Sequence, residues 1–116
     1  AYNANPTSMA AALENFSNVE ADCKVALLGD MLELGEESEK EHVSVIRSAA
    51  SRGFAKVCFV GREFMTASSQ ASFDQAHFFE TSDALAGWLA ANPLEGATIL
   101  IKGSRGTKME KVITVL

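Results

Sequence analysis

The chain has 116 residues, of which 47% are hydrophobic, and a formal net charge of -5. That length suits one domain with a real core, and the acidic balance argues against non-specific nucleic-acid binding, which relies on neutralising phosphates. No apolar run reaches membrane-spanning length and no signal peptide opens the chain, so a soluble intracellular protein is expected.

Residues 1–5 look irregular. Asn5-Pro6 is a good helix start, with Asn as cap and Pro in the first turn. Met9, Leu13 and Phe16 follow at helical spacing and give this helix one core face. Residues 25–28 form an unbroken apolar run stopped by Gly29. Such a run fits a strand buried on both faces, as in a parallel sheet. Gly29 and Asp30 then fall just past the strand's carboxyl end, where open α/β sheets bind ligands. Residues 31–35 form a loop over that edge, and 36–38 lead into a second helix. Ser38 with Glu41 has capping-box spacing. His42, Ile46 and Ala49 share one face of this helix, and Arg52-Gly53 ends it.

Residues 56–60 are a second buried strand, stopped by Gly61. A short helix over 63–68 and a polar loop over 69–75 follow. Residues 76–79 make a third strand. Thr81 or Ser82 caps a helix bearing Leu85, Trp88 and Leu89, which ends at Asn92-Pro93. Residues 98–101 are the fourth buried strand, running into Lys102-Gly103-Ser104-Arg105-Gly106. Thr107 with Glu110 repeats the capping-box spacing, and Met109, Val112, Ile113 and Leu116 line one face of a last helix. The alternation predicts a three-layer α/β domain with a mostly parallel sheet and right-handed crossovers. Residues 24–28 should be internal and 77–79 near one edge. A doubly wound domain starts on a strand, whereas this chain opens on a loop and helix, so the sheet is expected to be missing its first strand.

Three loops should meet at the carboxyl edge: 2–5, 29–35 and 102–106. In the third, Lys102 and Arg105 supply cations, Ser104 a hydroxyl, and the glycines free backbone N–H groups. That set suits a carboxylate or phosphate, or else is a basic turn that caps a helix. Asp30 either positions an amine or a metal-bound water, or caps a turn. His42 is either packed and hydrogen-bonded or functional. Tyr2, Asn3 and Asn5 carry hydrogen-bonding groups but no nucleophile. Cys23 and Cys58 lie in or beside apolar runs and read as buried free thiols. No Ser-His-Asp order, nucleophile elbow, phosphate loop or dinucleotide fingerprint is present, and Cys and His are too few for a zinc cluster.

Tyr-Asn-Ala-Asn-Pro at 2–6, Leu-Gly-Asp-Met-Leu-Glu-Leu-Gly at 28–35, Glu37-Ser38 with His42, and Lys-Gly-Ser-Arg-Gly at 102–106 with Met109-Glu110 keep their order along nearly the whole chain. Together they resemble the C-terminal, Rossmann-like domain of the Mur ligases. The resemblance implies that residues 1–116 belong to a three-domain, cytoplasmic, ATP- and Mg2+-dependent ligase of peptidoglycan synthesis. Its substrates would be UDP-N-acetylmuramoyl-tripeptide and D-alanyl-D-alanine. Its partners would be the enzyme's own central ATPase and N-terminal domains, with no nucleic acid and no membrane insertion. The resemblance further implies nucleotide-side contacts for Tyr2, Asn3 and Asn5, and amine-substrate contacts for Asp30, Lys102, Ser104 and Arg105. Gly29 and His42 would stand behind them. No catalytic residue, metal ligand or bound cofactor is expected in this domain alone. The rival reading is a non-catalytic anion-binding or regulatory α/β module.

Overall fold

A computed structural model describes residues 4–116; Ala1, Tyr2 and Asn3 lie outside the described residues. Helix α1 (Pro6–Ser17) begins as its sequence requires. The Asn5 side chain accepts from the Ser8 N–H at 2.8 Å, and the Ser8 hydroxyl accepts from the Asn5 N–H at 3.1 Å. Met9, Leu13 and Phe16 are its buried face. At the other end Lys24 turns back on the helix. Its ammonium donates to the carbonyls of Phe16, Ser17 and Val19 at 3.1, 2.9 and 2.9 Å. A cation on orphan carbonyls stabilises a helix C-terminus and sets how α1 leads into β1 (Lys24–Gly29).

The remaining elements alternate: α2 (Ser38–Ala50), β2 (Lys56–Val60), α3 (Arg62–Ala67), β3 (Ala76–Phe79), α4 (Ser82–Ala91) and β4 (Thr98–Lys102). The four strands pair in parallel in the order β3-β2-β1-β4. β1 is therefore internal and β3 is an edge, as expected. The apolar run explains the placement of β1: Val25, Ala26, Leu27 and Leu28 are all buried, which only a strand covered on both faces allows. One core cluster joins α1, α2 and α3 to the sheet through Met9, Leu13, Ile46, Phe59 and Phe64. A second joins α4 and the C-terminal segment to the opposite face through Leu27, Val60, Leu85, Leu89 and Val112. Thr81 is the cap of α4, accepting from the Ala84 N–H at 3.1 Å.

Three local expectations are corrected. Ser38 does not cap α2. A 3-10 turn (Gly35–Glu37) runs directly into the helix, so Ser38 is already helical and no side chain caps that end. Its hydroxyl instead donates to Glu63 of α3. Thr107 does not open an α-helix with Glu110 as partner. Lys108 has a left-handed backbone (φ 55°, ψ 45°) and breaks the segment into 3-10 helices Arg105–Thr107 and Met109–Val115. The period there is three, so Met109, Val112 and Val115 face the sheet, while Ile113 and Leu116 are 57% and 48% exposed. Cys58 is buried, with its thiol pushed up to about 12 by desolvation, but Cys23 is only half-buried.

The three-residue period has a direct consequence for stability. Val112→Ala should cost about 2 kcal/mol, two buried methyl groups plus the space they leave, whereas Ile113→Ala should stay within about 0.5 kcal/mol. Urea unfolding of both variants checks this. Equal losses would restore an α-helical period.

Candidate functional site

Asp30 is the meeting point of the sheet's carboxyl edge. Its N–H donates to the Val60 carbonyl at 3.0 Å, continuing the β1–β2 ladder one residue beyond the strand. Its carbonyl accepts from the Ser104 N–H at 2.9 Å and the Thr107 hydroxyl at 3.3 Å. Its carboxylate accepts from the backbone N–H groups of Glu63 and Phe64, each at 3.0 Å, and so caps α3 from another strand. Gly61 must be glycine for this to happen. It has φ 122°, and a Cβ there would lie 2.2 Å from the Asp30 carboxyl carbon. Asp30 is 5% exposed. Burial is the largest influence on it and pushes its pKa up, against the two amide hydrogen bonds.

Ser104 clasps the three loops. Its hydroxyl accepts from the Leu32 N–H at 3.1 Å and donates to the Ala4 carbonyl at 3.2 Å. The loops after β1 and β4 and the lead into α1 thus converge, as the sequence suggested. His42 is fully buried in α2 and serves the same edge. Its Nε2 accepts from the Met31 N–H at 3.0 Å, and its Nδ1 donates to the Ser38 carbonyl at 2.7 Å. This pairing assigns the neutral Nδ1–H tautomer. Gly29 is needed for space: a Cβ there would meet Met109 Cγ at 2.8 Å and Thr107 Cγ2 at 2.9 Å.

Two clefts open at this edge. One, of about 500 Å3, is lined by Asn5, Leu32, Glu33, Ser104, Arg105 and Gly106 among others. The other, of about 400 Å3, includes Asp30, Arg62, Thr81, Asp83, Lys108 and Lys111. Arg105 is exposed on the first cleft, whereas Lys102 sits with Arg105 along a groove beside β4. Ser104 lines that groove too, so Lys102, Ser104 and Arg105 share it. Tyr2 and Asn3 lie outside the described residues. The second cleft was missed in the sequence. Arg62 follows Gly61 just as Asp30 follows Gly29, so the strand-Gly-polar pattern was there to be read. Lys108 gave no signal, because only the structure shows its left-handed backbone.

The raised pKa of Asp30 makes a pH-dependent prediction. A carboxyl with a raised folded-state pKa adds stability below its unfolded value of about 4, and that contribution fades as pH rises through the folded value. Asp30→Asn removes the titration. The stability margin of the native chain over this variant should therefore narrow as pH rises above about 4, read by urea unfolding. A margin that widens with pH would mean the amide hydrogen bonds outweigh burial.

Comparison with known proteins bears on this edge. A family model for the Mur ligase, glutamate ligase domain, matches residues 1–105. The UDP-N-acetylmuramoyl-tripeptide--D-alanyl-D-alanine ligase of Escherichia coli (strain K12) is 38% identical over 116 residues, covering 99% of this chain and 25% of the relative. That of Treponema pallidum (strain Nichols) is 37% identical over 119 residues, covering 99% and 26%. A crystal structure of MurF from Acinetobacter baumannii shares the fold at a TM-score of 0.82 and 31% identity, over 97% of this chain and 25% of that one. The chain thus spans about a quarter of the length of the relatives it matches. Because the family model spans residues 1–105 and the relatives align over nearly the whole chain, this chain belongs to the Mur ligase family and corresponds to its glutamate ligase domain.

Proposed function

We propose that this chain is the C-terminal substrate-binding and closure domain of an ATP-dependent ligase that adds D-alanyl-D-alanine to UDP-N-acetylmuramoyl-tripeptide in peptidoglycan synthesis. The carrying observation is the clasp at Ser104, which holds three loops on one edge and leaves Asn5 and Arg105 on a single cleft. Its support from relatives is the alignment with ligases named for that reaction.

In this reading the cationic Arg105, with Lys102 beside it, pairs with the carboxylate of the incoming dipeptide. Tyr2, Asn3 and Asn5 face the nucleotide. Ser104, Asp30, Gly29 and His42 act by fixing the loops rather than by chemistry. Closing the domain over the reacting groups excludes water from an activated carboxylate. Among the described residues no group of three or more His, Cys, Asp or Glu could hold a metal ion. The sequence also has no phosphate loop. The proposal assigns Mg2+ and the ATP phosphates to the rest of the enzyme. No described helix is long and apolar enough to cross a membrane. A cytoplasmic location follows from the proposed nucleotide-linked substrates.

The segment after Arg105 is a three-residue 3-10 turn, so it supplies little helix dipole and the side chain should dominate. A charge-assisted hydrogen bond is worth roughly 1.5–3 kcal/mol, or roughly 10- to 150-fold in affinity. In the full-length enzyme, Arg105→Ala should raise KM for D-alanyl-D-alanine by that factor and leave KM for ATP nearly unchanged. Its exposure means the fold should survive. Steady-state kinetics with each substrate varied in turn decide this, and a defect falling on ATP would move Arg105 to the nucleotide side. The 116-residue chain alone should form no ADP from ATP, UDP-N-acetylmuramoyl-tripeptide and D-alanyl-D-alanine. Phosphate release above background by the pure chain would overturn the division of labour.

A further inference from the structure

Glu33 has a backbone that its side chain does not favour. Its φ is 64°, a left-handed value shared with Lys108 alone among the described residues other than glycine. A side chain in that region crowds the backbone, whereas glycine adopts it freely. Such a residue persists only where its surroundings hold it. Here they do so from both sides. The Met31 N–H is bound to His42 Nε2 at 3.0 Å, and the Leu32 N–H to the Ser104 hydroxyl at 3.1 Å. Leu34 packs against the core, and its carbonyl accepts from the Glu37 N–H at 3.2 Å. These contacts, two of them to buried side chains distant in sequence, fix the point at which the Glu33 side chain leaves the loop.

The carboxylate so placed serves no described partner. Glu33 is exposed, and no hydrogen bond or ion pair joins its side chain to another described residue. It lines the cleft of about 500 Å3 on which Arg105 also sits. Among the described residues of that cleft Glu33 is the one acid and Arg105 the one base, and the rest of the lining is uncharged. The two do not pair with each other. Glu36 and Glu37, in the 3-10 turn that follows, are not part of the lining. An acid and a base held apart in one cleft complement a molecule that carries one charge of each sign. A dipeptide is such a molecule, with its ammonium and its carboxylate at most about 7 Å apart when extended.

We propose that Glu33 binds the ammonium of the incoming dipeptide, opposite Arg105, and so selects a zwitterion over a ligand charged at one end only. This rests on the proposed pairing of Arg105 with the dipeptide carboxylate and adds the other end. With opposite charges at its two ends the dipeptide enters in one direction, because the reversed pose sets like charges against each other. The amine, which forms the new peptide bond, then always lies on the Glu33 side. The strained backbone has the same explanation. Glycine at this position would relax the loop but would leave the ammonium without a partner.

The test is steady-state kinetics and thermal unfolding of the full-length enzyme. Glu33→Gln keeps the shape and removes the charge. It should raise KM for D-alanyl-D-alanine roughly 10-fold or more and leave KM for ATP within about twofold, and Glu33→Asp should recover part of the loss. Glu33→Gly separates binding from scaffold: it should raise the same KM while Tm stays level or rises, because the left-handed strain is relieved. An unchanged KM for the dipeptide in Glu33→Gln, or a defect that falls on ATP, would overturn the proposal. So would a Tm lowered by both Glu33→Gln and Glu33→Gly, which would make Glu33 part of the scaffold. Arg105→Ala reports separately on the carboxylate end, so failure at Glu33 alone leaves that pairing in place, and failure of both removes the dipeptide from this cleft.

Discussion

The structure depends on Asp30 being held in three directions at once. Its backbone N–H ties β1 to β2, its carbonyl ties β1 to the loop after β4, and its carboxylate caps α3. A carboxylate is costly to bury, and two amide donors lower that cost without removing it. The residue therefore couples the sheet to a six-residue helix that would hold few hydrogen bonds by itself. It is a polar anchor at the point where a helix or sheet register would otherwise be free to shift.

Around it, close approach does the rest. A Cβ on Gly103 would lie 2.8 Å from the Gly29 Cα, so the ends of β1 and β4 can lie this close only with glycine at position 103. Met109 packs into the same junction and brings the C-terminal 3-10 helix against the edge. His42 then fixes the chain just after Asp30 by accepting from Met31. These contacts make a rigid frame from which Arg105, Arg62 and Lys108 project at the rims of the clefts.

The polar residues of this edge thus divide by burial. Asp30, His42 and Ser104 are buried and satisfied within the chain, as buried polar groups must be. The cations are exposed and positioned by the frame. Rigid support fixes where each charge sits while its tip stays exposed, an arrangement that suits the proposed closure over a charged substrate.

The sequence by itself determined the alternation of elements, the internal place of β1, the cap at Asn5, the convergence of three loops and the family resemblance. Those follow from short-range causes: apolar runs, glycine stops, capping side chains and ordered motifs. Tertiary structure decided what each polar residue does. That Asp30 caps α3, that Ser38 turns to Glu63, and that Ser104 spends its hydroxyl on Leu32 and Ala4 depend on partners distant in the chain. The same holds for the last segment. Its apolar spacing suited an α-helix, but the left-handed turn at Lys108 and the packing of Met109 against β1 and β4 draw it into a three-residue period. Local pattern carries no record of which distant backbone will be near enough to accept a hydrogen bond.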